Sequence, residues 1–149
     1  GTVTDGVAFI DNPAPGQTTI DVVTPTTVID WTPALDNMGN ALTFLPAGNT
    51  ATFQSGQLQN FAVLNRILPD ANNNIAVING NVISRVIDAT GLPTTGGTVA
   101  FYSPTGLLIG SSASFDVGSL LLTTLDTSPA SFANFFNGGN LSLVGAQGS

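Results

Sequence analysis

Apolar residues along this chain gather in short runs separated by Gly, Asn, Ser and Pro, a texture that predicts strands joined by tight turns. The turn-rich DNPAPGQTT dominates the first twenty residues, and TTIDVVTPTTVIDW then carries two apolar runs around Pro25, the second ending at Trp31. TPALDNMGN reads as a loop, followed by strand candidates ALTFL at 41–45, TATFQ at 50–54 and FAVLNRI at 61–67. PAGN and SGQLQN are the turns between them, and PDANNN at 69–74 is a further loop. In IAVINGNVISRVID, Asn79-Gly80 separates two β-branched runs, which suits a hairpin or a bend between stacked strands. Beyond the loop TGLPTTGG lie TVAFY, LLIG, SFDV and SLLLTTLD, joined by SPTG, SSA and GS. Helical spacing shows only in PASFANFFN at 129–137, where Phe132, Phe135 and Phe136 share a face and Ser128 can cap. That piece suits an aromatic-rich loop over a core edge equally well. LSLV at 141–144 is the last strand candidate.

About ten short strands with brief connections fit two all-β architectures, a parallel β-helix or an antiparallel β-sandwich. Sandwich strands have one wet face and alternate, whereas GLLIG and SLLL are continuous apolar runs. Tight corners rich in Gly, Ser and Asn suit a solenoid, where amides and hydroxyls stack from coil to coil and satisfy turn backbone. Gly96–Asp126 shows this texture best: it is too interrupted for a membrane helix and too long for one strand, and is expected to wrap one or two coils. The β-helix is therefore the preferred expectation, with residues 1–149 as one domain.

Composition narrows the function. Of the 149 residues only 7% are charged, against roughly a quarter in an average domain. There is no Glu, Lys, His or Cys; nine Asp and two Arg give a net charge of −7. Thiol nucleophiles, histidine bases and the usual zinc sites are thereby excluded, and no cofactor is expected. Nucleic acid is not an expected partner, because its binding runs on cationic contacts to phosphate. Gly1–Ile10 has neither the basic start nor the apolar centre of a signal peptide, so the chain is expected to begin inside a longer precursor or a processed product.

In order along the chain, VIDWTP at 28–33, TATFQ at 50–54, FAVLNRI at 61–67 and GTVAFYSPTGLLIGSSASFDVGSLLLTTLD at 97–126 resemble the two-partner-secretion domain. That domain stands at the front of filamentous-haemagglutinin-like bacterial exoproteins. The resemblance covers roughly residues 28–126 and implies a right-handed parallel β-helix with extra-helical capping strands. It also implies a secreted, cell-surface protein of adhesin or biofilm type, exported by an outer-membrane β-barrel transporter. Ser103, Pro104, Thr105 and Gly106 occupy the place of the family's Asn-Pro-Asn-Gly turn. Pro104 and Gly106 keep the two backbone-shaping positions, while Ser103 and Thr105 replace the asparagines. Host or matrix glycans are further candidate partners.

The remaining candidates carry structural rather than chemical expectations. Asp21 with Asp30, or Asp116 with Asp126, are acid pairs whose approach would suit action on a polysaccharide, and strand-end or turn-capping roles are expected instead. Arg66, a charge inside an apolar strand, is expected to form a structural ion pair with an Asp, beside an Asn65 that can join an asparagine ladder. Residues 70–74, DANNN, lack the ligand spacing of a calcium loop, and Trp31 is expected in the core or a cap. The chain is expected not to be an enzyme. A second functional expectation is a filament subunit, in which open stack ends, or the segment Gly1–Val23 added to a neighbour, drive self-association.

Overall fold

A computed structural model of the chain describes residues 1–32, 45–56, 60–69, 72, 75–88 and 90–124. Every regular element in them is a strand. The first four are β1 (Thr2–Asp5), β2 (Ala8–Ala14), β3 (Gln17–Val22) and β4 (Thr26–Trp31). Next come β5 (Thr50–Ser55), β6 (Ala62–Ile67) and β7 (Ala76–Ile78). There follow β8 (Asn81–Ile87), β9 (Pro93–Thr95), β10 (Thr98–Tyr102) and β11 (Leu107–Ile109), and the last described strands are β12 (Ser114–Asp116) and β13 (Ser119–Thr123).

Three mixed or parallel sheets form, and none closes on itself. One runs β1-β4-β6-β10-β13; another runs β12-β8-β5-β3-β2 with β9 beside β8; β7 and β11 make the third. Seven ladders are parallel and three antiparallel, which is not the pairing of an antiparallel sandwich. Within the six-stranded sheet Gln17 faces Thr50, Thr50 faces Asn81 and Asn81 faces Ser114, steps of 33, 31 and 33 residues. In the five-stranded sheet Thr26, Ala62, Thr98 and Ser119 stand in line, at steps of 36, 36 and 21. The chain thus visits the sheets in a recurring order, with steps of 31–36 residues between aligned positions except for the shorter last step of 21 in the five-stranded sheet.

The antiparallel ladders add strands at sheet margins. β1 lies on β4 and β2 on β3, so both large sheets begin with an antiparallel strand, and β9 folds back on β8. The turn-rich reading of the first twenty residues is corrected here: Ala8 and Ile10 turn towards the core opposite Val22 and Ile20. Pro13 is tolerated because β2 is an edge strand whose register shifts between Asp11 and Ala14. The loop TGLPTTGG likewise contains the short strand β9. Asn79-Gly80 is a corner, since β7 and β8 belong to different sheets and both amides donate to the Leu45 carbonyl at 2.7 and 3.0 Å. A two-residue type I′ hairpin would need positive φ at both positions, and Gly80 has none. Of ALTFL only Leu45 is described, as a single parallel bridge to Ile78; the 129–137 and 141–144 candidates lie outside the described residues.

Inward positions of all three sheets form one core. Ile20, Ile29, Phe53, Phe61, Val63, Ile67, Ile78, Val82 and Val99 are each at most 1% exposed. Burying each such side chain contributes about 1.5–3 kcal/mol. A second cluster of Val28, Ala62, Leu64, Ala100 and Tyr102 occupies the opposite face of the five-stranded sheet. That explains the continuous apolar run in FAVLNRI: both faces of β6 are buried.

Candidate functional site

β10 leaves its sheet at Tyr102, and the next four residues, Ser103, Pro104, Thr105 and Gly106, make the corner that delivers the chain to β11. The Gly106 amide donates to the Ser103 carbonyl at 3.2 Å, closing a β-turn with Pro104 at its second position. Proline suits that position because its ring holds φ near the value the turn requires. Gly106 has φ +109°, a conformation that L side chains rarely adopt. The turn is tied down on both sides: the Ser103 amide donates to the Thr123 carbonyl at 3.1 Å, and the Ala76 amide donates to the Gly106 carbonyl at 3.1 Å. Ser103 is 1% exposed, with its hydroxyl 3.2 Å from that of Thr105, whereas Pro104 is exposed. The corner therefore presents a proline ring to solvent on a hydrogen-bonded frame.

Arg66 lies one strand away from Tyr102, the residue before the corner. Parallel register aligns Asp30 on β4, Arg66 on β6 and Tyr102 on β10. Arg66 Nη1 donates to both carboxylate oxygens of Asp30, at 3.1 and 3.2 Å, and the guanidinium lies 5.7 Å from the Tyr102 ring centroid. Both charged side chains are largely shielded, at 27% and 19% exposure. An acid, a planar cation and an aromatic ring are thus stacked across three strands, rigidifying the sheet where it enters the corner.

A second polar cross-link runs through the core. Asn65 is fully buried; its Nδ2 donates to the Ala100 carbonyl at 3.1 Å, and its Oδ1 accepts from Trp31 Nε1 at 3.0 Å. Asn65 joins β4, β6 and β10, and its partners are an indole and a carbonyl rather than other asparagines. Trp31 packs against the main core.

The acids are occupied individually. Asp21 on β3 accepts from Gln54 Nε2 at 2.7 Å while Asp30 on β4 holds Arg66, so these two carboxylates sit in different sheets with different partners. Asp116 pairs with Arg85 at 2.5 Å, a bridge the sequence reading missed; the β8–β12 register sets Asp116 opposite Ile83, and the guanidinium reaches it from two residues further along β8. Asp126 lies outside the described residues, as does DANNN except Asn72. Among the described residues no group of three or more acidic side chains is gathered to hold a metal. Asp88 caps the turn into β9, with Oδ1 accepting from the Thr90 hydroxyl at 2.5 Å and from the Thr90 and Leu92 amides at 2.9 and 3.0 Å. The Thr90 hydroxyl, followed by the Leu92 amide, lowers the Asp88 pKa below its usual 3.8.

Comparisons with protein-family models, with curated proteins and with solved structures found no match.

Proposed function

We propose that the chain is a right-handed parallel β-helix domain of a secreted bacterial exoprotein, of adhesin or biofilm type, that engages an outer-membrane partner during export and templates folding of the chain that follows it. The observation that carries this reading is the contrast between the outer strands that open the two large sheets and the last described strand, β13. At the start, β1 and β2 run antiparallel to the strands beneath them, both ladders shift register, and Asp5, Asp11 and Pro13 sit on those outer strands. Charge, proline and register breaks on an edge strand are the usual means of refusing a further strand. Among the described residues the last strand, β13, is in register with β10, and its two positions opposite core residues Val99 and Phe101 are Leu120 and Leu122. These leucines are 38% and 40% exposed, and Ile109 of β11 is 37% exposed. An apolar core layer left part-open beside a regular parallel strand favours addition of another coil. In this reading Pro104 on its anchored turn is the feature a transporter reads, the role the resemblance assigns to that corner.

The two readings of the ends give different assemblies. Head-to-tail stacking of identical copies would need the guarded first end to accept a strand, which weighs against a filament subunit. The deciding experiment replaces Pro104 and Gly106 in the full-length protein, expressed with its cognate transporter, and measures the exported fraction. A sharp loss with the protein still folded is expected; undiminished export overturns the role of the corner. Electron microscopy of the purified chain supplies the second arm, in which ordered filaments would replace this reading with self-assembly.

A further inference from the structure

The two large sheets differ on the faces turned away from the core. The five-stranded sheet has an apolar, buried cluster there, whereas the six-stranded sheet presents three rows of polar side chains. In one row Phe9, Asp21, Gln54 and Arg85 stand opposite one another across β2, β3, β5 and β8. The next row holds Asp11, Thr19, Thr52, Ile83 and Asp116, and a third holds Gln17, Thr50, Asn81 and Ser114. Ile83, and Ala14 opposite Gln17 on β2, are the apolar members of the second and third rows.

Hydrogen bonds and an ion pair fix much of this array before anything binds. Gln54 donates to Asp21 at 2.7 Å, Arg85 holds Asp116, Ser114 donates to Asn81 at 3.0 Å and Asn81 to Thr50 at 3.4 Å. Phe9, at 64% exposure, is the most exposed large apolar residue described, and it ends the row that carries the amide and the guanidinium. From Phe9 to Arg85 is three strand steps, about 14 Å at the usual spacing. At the side of the array a cleft of about 310 Å³ shares Gln17 and Thr50 with the third row and adds Asn12 and Asn49.

We propose that this outer face and its marginal cleft form a binding platform for a neutral glycan chain. An aromatic ring in line with planar amide, carboxylate and guanidinium groups offers a stacking surface for the apolar face of a sugar ring, with paired donors and acceptors for neighbouring hydroxyls. The fixed sheet keeps the ordering cost of these side chains low. Charge selects the glycan class: Asp11, Asp21 and Asp116 face one base, Arg85, which Asp116 already holds, so sulfated or uronate-rich chains are disfavoured. This platform stands on the six-stranded sheet and not on the Ser103–Gly106 corner, so its fate is independent of the export role.

The test titrates the purified chain with neutral cello-, manno-, xylo- and N-acetylchito-oligosaccharides by calorimetry, with heparin as the anionic probe. Saturable binding of at least one neutral probe is expected, weakened about tenfold or more by Phe9→Ala and by Gln54→Ala. Both side chains lie on the outer face, so unchanged thermal unfolding serves as the folding control. No neutral binding at millimolar ligand overturns the proposal. A preference for heparin, or binding that both variants leave intact, does so equally.

Discussion

Replacing Asn65 with alanine tests whether the core depends on a polar cross-link or only on filled volume. The side chain is 0% exposed and supplies a donor to the Ala100 carbonyl and an acceptor to the Trp31 indole. Water cannot replace either group at that depth, so the loss combines two hydrogen bonds with the desolvation their partners no longer recover. Together these come to about 2–4 kcal/mol, a large share of the roughly 5–15 kcal/mol that holds a domain together. In urea the midpoint is expected to fall by about 1–2 M at an ordinary slope for a domain of this size. Trp31 is the sole tryptophan, so its fluorescence reports the local change while far-UV circular dichroism follows the strands. Asn65→Leu separates the two explanations: leucine nearly refills the volume but bonds neither partner. If packing alone mattered, leucine would restore stability; the hydrogen-bond account predicts that most of the loss remains. A double-mutant cycle with Trp31→Phe should return a coupling of about 0.5–1.5 kcal/mol. An alanine variant within about 0.5 kcal/mol of the parent would refute the reasoning.

Arg66→Ala is expected to cost about 1–3 kcal/mol, because it strips the shielded Asp30 of its guanidinium partner and Tyr102 of its cation, and Arg66→Lys should recover only part, since lysine lacks the planar fork; denaturation curves of both variants check this. Gly97→Ala should be more damaging than Gly106→Ala in thermal unfolding. Both glycines have positive φ, but an added Cβ at 97 falls 2.5 Å from the Phe61 ring, whereas at 106 its nearest neighbour is Ile75 at 3.7 Å. Asp88 gives the acid limb a defined sign. Its folded pKa is lowered, chiefly by the Thr90 hydroxyl, so the stability it contributes is present above 3.8 and fades as pH falls through the folded value. Thr90→Ala should move the Asp88 carboxyl titration upward in an NMR series and flatten that part of the pH profile.

Strand existence was legible wherever a strand has a buried face. TATFQ and TVAFY read as strands because packing rewards β-branched and aromatic residues at those positions. β1, β2 and β9 were not legible, because each is an addition to a sheet margin whose bonding comes from a neighbour. The 31–33-residue step of the six-stranded sheet was present in the sequence but carried by dissimilar residues, Gln17, Thr50, Asn81 and Ser114, so no repeat stood out. At the corner, Pro104 and Gly106 announced a turn by their own backbone preferences. That the turn is anchored to Thr123 and Ala76 could not be read, because those partners belong to β13 and β7, strands distant in the chain.

By itself the sequence determined an all-β protein: helix-forming Glu and Lys are absent, apolar runs are strand-length, and Gly and Asn punctuate them. It also favoured an acid partner for Arg66, since a charge in an apolar strand is costly alone. Only the tertiary structure decided which acid. Asp30 lies 36 residues earlier, and the parallel register of β4 on β6 sets it beside Arg66, with Tyr102 on the other side. The same holds for the register-shifted edge strands β1 and β2, the part-exposed leucines of β13 and the polar outer face. Each is a property of strands in register, and register is fixed by the burial of whole faces, which no local stretch of sequence encodes.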